Sequence, residues 1–218
     1  MALVKRKSRT DSLTIYIEGD GAAWITAYHP PRDPTPFKPT ALALAAIDPG
    51  DAVAYLGRPC QYLDAPALAN CSPIWWTTQR FAPEVLTAYG QALDTLKVQT
   101  RAVTLRLVGY SGGGVIAALL ALRRQDVTSL ITVASPLAVG QWTRLQGISP
   151  LAGSLDPLLA PGKLPPATHW IGSDDEIVPL SVIEQFALGK GGQVRPVKGY
   201  DHDCCWTRNW SLLLEESP

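Results

Sequence analysis

The chain has 218 residues, 46% hydrophobic and 17% charged, and its 19 basic and 19 acidic side chains cancel. That length supports one sizeable domain with its own core and leaves little for a second. A neutral balance offers no general attraction to nucleic acid or an anionic membrane surface, so neither is expected as a partner. No stretch is long and apolar enough to span a bilayer.

The basic start Lys5-Arg6-Lys7-Ser8-Arg9 has no apolar core behind it and reads as a solvated arm over residues 1–12. Residues 13–17 form a predicted strand that stops at Glu18-Gly19-Asp20-Gly21, and the prolines at 30, 31, 34 and 36 then forbid regular structure. A short Ala/Leu helix over 40–47 and a strand over 51–56 follow. Residues 57–78 are irregular and hold Cys60, Cys71, Trp75 and Trp76. Val85, Leu86, Tyr89, Leu93 and Leu96 recur at helical spacing behind Pro83, which suits a first turn. Further strands are predicted at 102–108, 129–133, 168–171 and 194–197, with helices at 113–123, 180–188 and 206–214. Residues 136–166 are rich in Pro, Gly and Ser and read as loop. Strands alternating with helices imply parallel pairing, hence a three-layer α/β/α sandwich of about six mainly parallel strands.

Four cysteines are few for a disulfide scaffold, and none forms a C-x-x-C pair, so no metal is expected. Cys60 and Cys71 are close enough to bridge a loop. Such a bridge would stabilise by roughly 3 kcal/mol and imply an oxidising compartment; reduced, partly buried thiols are the alternative. Joining the neighbours Cys204 and Cys205 requires a strained ring, which argues against that bond.

In an open parallel sheet, ligands bind beyond the carboxyl ends of the strands. Every unusual cluster falls there: EGDG, GYSGGG, GSDDEIVP and GYDHDCCW. Gly109-Tyr110-Ser111-Gly112-Gly113 fits G-x-S-x-G between a strand and a helix, the context in which a serine is raised on a tight turn as a nucleophile. A phosphate-cradling loop is the alternative, and no G-x-x-x-x-G-K-[ST] pattern supports it. A serine needs a base. His29 sits in the proline-rich loop and His169 inside an apolar strand, which leaves His202 after the last strand. The acid belongs between them, at Asp174 or Asp175.

The motifs IEGDG, RPCQY, CSPIWW, GYSGGG and DHDCCW resemble those of a poorly characterised group of small bacterial serine hydrolases in the α/β-hydrolase superfamily, over Leu13 to Trp210. In that superfamily G-x-x-D-x-x-V-P carries the acid; it matches Gly172, Asp175, Val178 and Pro179, which favours Asp175 over Asp174. Two departures stand out. The usual His-Gly after the first matching strand is Glu18-Gly19, and the two leading antiparallel strands have no room, which implies a minimal α/β-hydrolase fold of cutinase-like size. The resemblance implies one domain over residues 13–218 with a short cap-like insertion at 136–166. It implies a cell-envelope or periplasmic address if an export signal precedes the chain, and a cytoplasmic one otherwise.

The implied chemistry is acyl transfer to water on a small-molecule or acyl substrate, cleaving a carboxylic ester or thioester without a cofactor. Ser111 attacks, His202 moves the proton and Asp175 orients the imidazole. The backbone N–H groups of Gly112 and Asp20 are the candidate oxyanion donors, with the Asp20 carboxylate incidental or repelling anionic substrates. Asp201 and Asp203 read as loop-ordering groups, and a His-Cys-Cys metal cluster would leave the Ser-Asp-His order unexplained. Trp24, Trp75, Trp76, Tyr110 and Trp142 are candidate cleft residues; the alternative is that the tryptophans fill core. Competing readings are a non-catalytic binding protein on the same fold and a peptidase or amidase with the same triad.

Overall fold

The alternation read from the sequence assembles into one sheet in a computed structural model, which describes residues 1–8, 10–21 and 29–218. The strands are β1 (Ala2–Arg6), β2 (Ser12–Ile17), β3 (Ala52–Leu56), β4 (Thr104–Tyr110), β5 (Val127–Val133), β6 (Ala167–Gly172) and β7 (Gln193–Val197). They lie in the order β1-β3-β2-β4-β5-β6-β7. All neighbours are parallel except β1, which runs antiparallel to β3. The helices are α1 (Thr40–Ile47), α2 (Ala65–Leu68), α3 (Pro83–Thr100), α4 (Gly112–Ala121), α5 (Val139–Leu145), α6 (Leu180–Lys190) and α7 (Trp210–Glu215).

The period-2 alternation of the strands feeds two cores. Leu13, Ile15 and Ile17 of β2 and Leu105 and Leu107 of β4 face α3 and α4. Tyr16, Val53, Tyr55 and Val108 face α1 and α7 on the other side. A sheet covered on both faces is the reason its central strands read as nearly continuous apolar runs. From β2 the chain order proceeds to one side of the sheet, and from β4 to the other. The crevice between these two strand ends is the switch point at which open α/β sheets place ligands.

Three expectations are corrected. Residues 1–12 are not a free arm: Ala2–Arg6 supplies a seventh, antiparallel edge strand, so one leading antiparallel strand is present. Its charges disguised it, because lysine on an edge strand is a protection against further pairing. Lys5 Nζ also donates to the carbonyls of Ala46 and Asp48 at the end of α1, where a cation complements unpaired carbonyls. Arg9 lies outside the described residues. Second, residues 136–166 are not all loop: α5 forms here and buries Val139 and Trp142, the latter against Val178, Val182 and Ile183. Third, Cys204 and Cys205 are bonded to each other. The peptide between them is cis. The other pair, Cys60–Cys71, is bridged with its Cα atoms 6.0 Å apart, inside the ordinary range for a disulfide.

His169 is a packed core histidine. Its Nδ1 lies 2.9 Å from Thr132 Oγ1, and its ring meets Phe186 edge-on. Burial holds its pKa down to about 4, against an ordinary 6.5. Between those values the unfolded chain binds more protons than the folded one, so stability falls as pH drops through the window, by up to about 3 kcal/mol. His169→Gln carries no such proton. Its denaturant midpoint should fall less than that of the wild type between about pH 7 and about pH 5. An equal fall in both proteins would remove His169 as the cause.

Candidate active site

The turn after β4 is built around Ser111, whose φ of 50° and ψ of −126° are strained for a residue with a Cβ. Neighbouring glycines make the turn possible. A Cβ on Gly109 would overlap Gly114 Cα, and one on Gly113 would overlap the Ile17 carbonyl. Ser111 N–H is anchored to Val133 O at 2.8 Å, and its side chain opens on a cleft.

His202 arrives from the loop after β7. Its Nε2 lies 3.1 Å from Ser111 Oγ, and its Nδ1 lies 3.0 Å from Asp175 Oδ2. The Asp175 side chain is fully buried. Its Oδ1 accepts the N–H groups of Ile177 at 3.0 Å and Val178 at 2.8 Å, so both oxygens are engaged. Asp174 is exposed and accepts from Ser173 Oγ. The described histidines other than His202 are apart from this line: His169 is in the core, and His29 is exposed in the proline-rich loop.

The GYDHDCCW loop holds the imidazole from behind. His202 O accepts from Trp206 Nε1 at 2.9 Å, and Asp201 Oδ1 accepts the N–H groups of Asp203 and Cys204. Tyr110 Oη lies 3.1 Å from His202 O and 3.0 Å from Asp203 Oδ1, two acceptors for its one proton. Burial, then the nearby Asp203 charge, raises the Tyr110 pKa, so the phenol stays a donor.

The loop after β2 differs most from the sequence reading. Asp20 Oδ2 accepts from Arg80 at 2.9 Å, and Oδ1 sits 2.8 Å from Arg58 as a charge pair without an aligned N–H. Both arginines are buried. The Asp20 carboxylate is therefore neutralised by partners rather than incidental or repelling. It also presses on Gly112, where a Cβ would overlap it. Glu18 is buried too and accepts from the N–H groups of Gly19, Ala41 and Leu42 and from Tyr55 Oη. Burial pushes its carboxyl up, and those donors pull it back. A carboxylate at the start of α1 complements the helix dipole. The only sequence signal for this network was the density of charge in EGDG and RPCQY.

The cleft over Ser111 has a volume of about 510 Å³ and is lined by Tyr110, Trp142, Phe37, Pro136 and Ile177 among others. Phe37, 98% exposed, and half-exposed Ile177 stand at its edge; neither was singled out from sequence. Of the proposed cleft residues, Tyr110 and Trp142 line it. Trp76 is buried elsewhere, Trp75 packs on the core beside the Cys60–Cys71 bridge, and Trp24 lies outside the described residues. A larger depression of about 670 Å³ lies at the opposite strand ends, around Ala167 and Gln193. Among the described residues no group of three or more His, Cys, Asp or Glu side chains is placed to hold a metal, and no helix is long and apolar enough to cross a membrane.

No protein-family profile and no curated protein matches the sequence. Solved structures do match in shape. Est1E from Butyrivibrio proteoclasticus, solved with ferulic acid, is similar at a TM-score of 0.65 and 14% identity, over 99% of this chain and 91% of that one. Esterase PE8 is similar at a TM-score of 0.60 and 17% identity, over 100% and 98%. Mouse alpha/beta hydrolase domain-containing protein 10 is similar at a TM-score of 0.63 and 15% identity, over 99% and 92%. With the strand order and the placement of the elbow, these likenesses show that the chain has the α/β-hydrolase fold.

Proposed function

We propose that the chain is a serine hydrolase that cleaves carboxylic ester or thioester bonds through an acyl-enzyme. The observation that carries this reading is the unbroken line from Ser111 Oγ through His202 to Asp175 at 3.1 and 3.0 Å, facing an open cleft. Ser111 Oγ attacks the carbonyl carbon as its proton passes to His202 Nε2. The imidazolium is stabilised by Asp175 and then protonates the departing alcohol or thiol. Water, deprotonated by His202, attacks the acyl-enzyme; the proton returns to Ser111 and the acid leaves. The oxyanion takes the N–H of Gly112, which as the first residue of α4 has no partner within the helix, and that of Asp20.

The 510 Å³ cleft is of a size that holds a small-molecule substrate, and structural neighbours described as esterases support an ester over an amide. The test is a fluorophosphonate probe, with peptide mapping of the adduct, beside a matched panel of ester, thioester and amide substrates. The expected result is an adduct on Ser111 with ester or thioester turnover. A folded protein that takes no adduct and turns over nothing would be a binding protein instead. Amide turnover equal to ester turnover would make it a peptidase or amidase.

A further inference from the structure

We infer that Gln61 is a positioning residue that holds the Gly19–Asp20 peptide so that the Asp20 N–H faces Ser111. The inference rests on the hydrolase reading above, in which that N–H is an oxyanion donor. Gln61 is wholly buried, and its partners determine its amide orientation. Its Oε1 accepts the Arg58 N–H at 2.9 Å, and its Nε2 donates to Gly19 O at 3.1 Å with Pro34 O at 3.4 Å. A flipped amide would set an oxygen against two carbonyls.

In a trans peptide the C=O and the following N–H point in opposite directions. Among the described residues the sole cis peptide is Cys204–Cys205. With the Gly19 carbonyl drawn to Gln61, the Asp20 N–H is turned to the other side. Gly19 and Asp20 lie against the elbow: a Cβ built on Gly19 would lie 3.2 Å from the Tyr110 ring and 3.4 Å from Ser111 Cβ, and one built on Gly112 would overlap the Asp20 carboxylate. Among the described residues no acceptor takes the Asp20 N–H. The Gly19 N–H is held by Glu18 Oε1 at 2.9 Å, so Gln61 and Glu18 hold both polar groups of Gly19. Without Gln61 the Gly19 carbonyl loses its side-chain donor and can turn toward the elbow, where it would repel the oxyanion.

The turn carrying Gln61 is itself held in a costly shape. Cys60 and Tyr62 on either side both have positive φ, 68° and 60°. Side-chain-bearing residues adopt such angles where the surroundings over-determine them, and these cluster at functional sites. Here the surroundings are the Cys60–Cys71 bridge, the Tyr62–Tyr55–Glu18 line and the Arg58–Asp20 pair.

The experiment compares Gln61→Met, similar in length with no N–H, and Gln61→Glu, which keeps the acceptor for Arg58 N–H, with the wild type. Active sites are counted by fluorophosphonate titration. A trifluoromethyl ketone, bound as a tetrahedral oxyanion, is set against the matching methyl ketone, which stays trigonal. The expected result is a fall in kcat per titrated site on the order of 10²-fold with KM within about threefold. Trifluoromethyl ketone affinity should fall in parallel while the methyl ketone is unaffected. Unchanged kcat per site with an unchanged inhibitor ratio overturns the role, as does a loss confined to melting temperature and titratable fraction. If Gln61→Met does not fold, Gln61→Glu reads the same ratio. A wild type that takes no fluorophosphonate overturns the hydrolase reading, and this role with it. A labelled, active wild type beside an indifferent variant overturns this role alone.

Discussion

Ser111→Ala is expected to abolish covalent fluorophosphonate labelling and to lower ester turnover by about 10⁴-fold or more. The substitution removes one oxygen and leaves the backbone with the same Cβ, so the strained φ of 50° is no harder to adopt. The anchors of the turn, Ser111 N–H to Val133 O and Gly114 N–H to Ser111 O, are backbone bonds and survive. His202 Nε2 loses its 3.1 Å partner but faces the cleft, where water replaces it. Melting temperature should therefore change little while activity collapses. Residual catalysis from the oxyanion donors would persist above the uncatalysed rate. Labelling at the wild-type rate in folded Ser111→Ala would place the nucleophile elsewhere.

Asp175→Asn should cost almost as much, about 10⁴-fold in kcat, by a different route. Asparagine can keep Oδ1 facing the N–H groups of Ile177 and Val178, so the loop stays in place. Its NH₂ then replaces the oxygen that faces His202 Nδ1 at 3.0 Å. An amide donor there requires Nδ1 to accept, which puts the ring proton on Nε2, pointing at Ser111. In that tautomer the imidazole cannot take the serine proton. Asp174→Asn changes an exposed side chain bonded to Ser173 and should alter kcat by no more than about threefold. Kinetics of both variants, matched for folded fraction by melting, decide the assignment. Greater damage from Asp174→Asn would move the acid by one residue.

Much of this molecule follows from local pattern. Strong apolar patterning placed six strands, and the positions of α1 and of the start of α3, because runs such as SLITV are buried on both faces and tolerate few polar residues. Glycine at 109 and 113 flanks Ser111 at short spacing, and the order Ser, Asp, His along the chain pointed to His202 and to Asp174 or Asp175; the resemblance to G-x-x-D-x-x-V-P then favoured Asp175.

What tertiary structure alone decided depends on partners distant in sequence. β1 has no internal pattern and forms because β3 offers it an edge. α5 is short and contains Gly140, so its stability comes from packing Trp142 against α6 and Val178. Which aromatics reach the cleft was invisible, since tryptophan is a core residue and a binding residue with equal chemical reason; Trp142 lines it and Trp76 does not. The sequence showed charge in EGDG and RPCQY but could not say that Asp20 meets Arg58 and Arg80, or that Gln61 crosses 42 positions to reach Gly19. Burying such groups is costly unless each finds a partner. Those partners are brought together only when the sheet sets the ends of β2, β3 and β4 side by side.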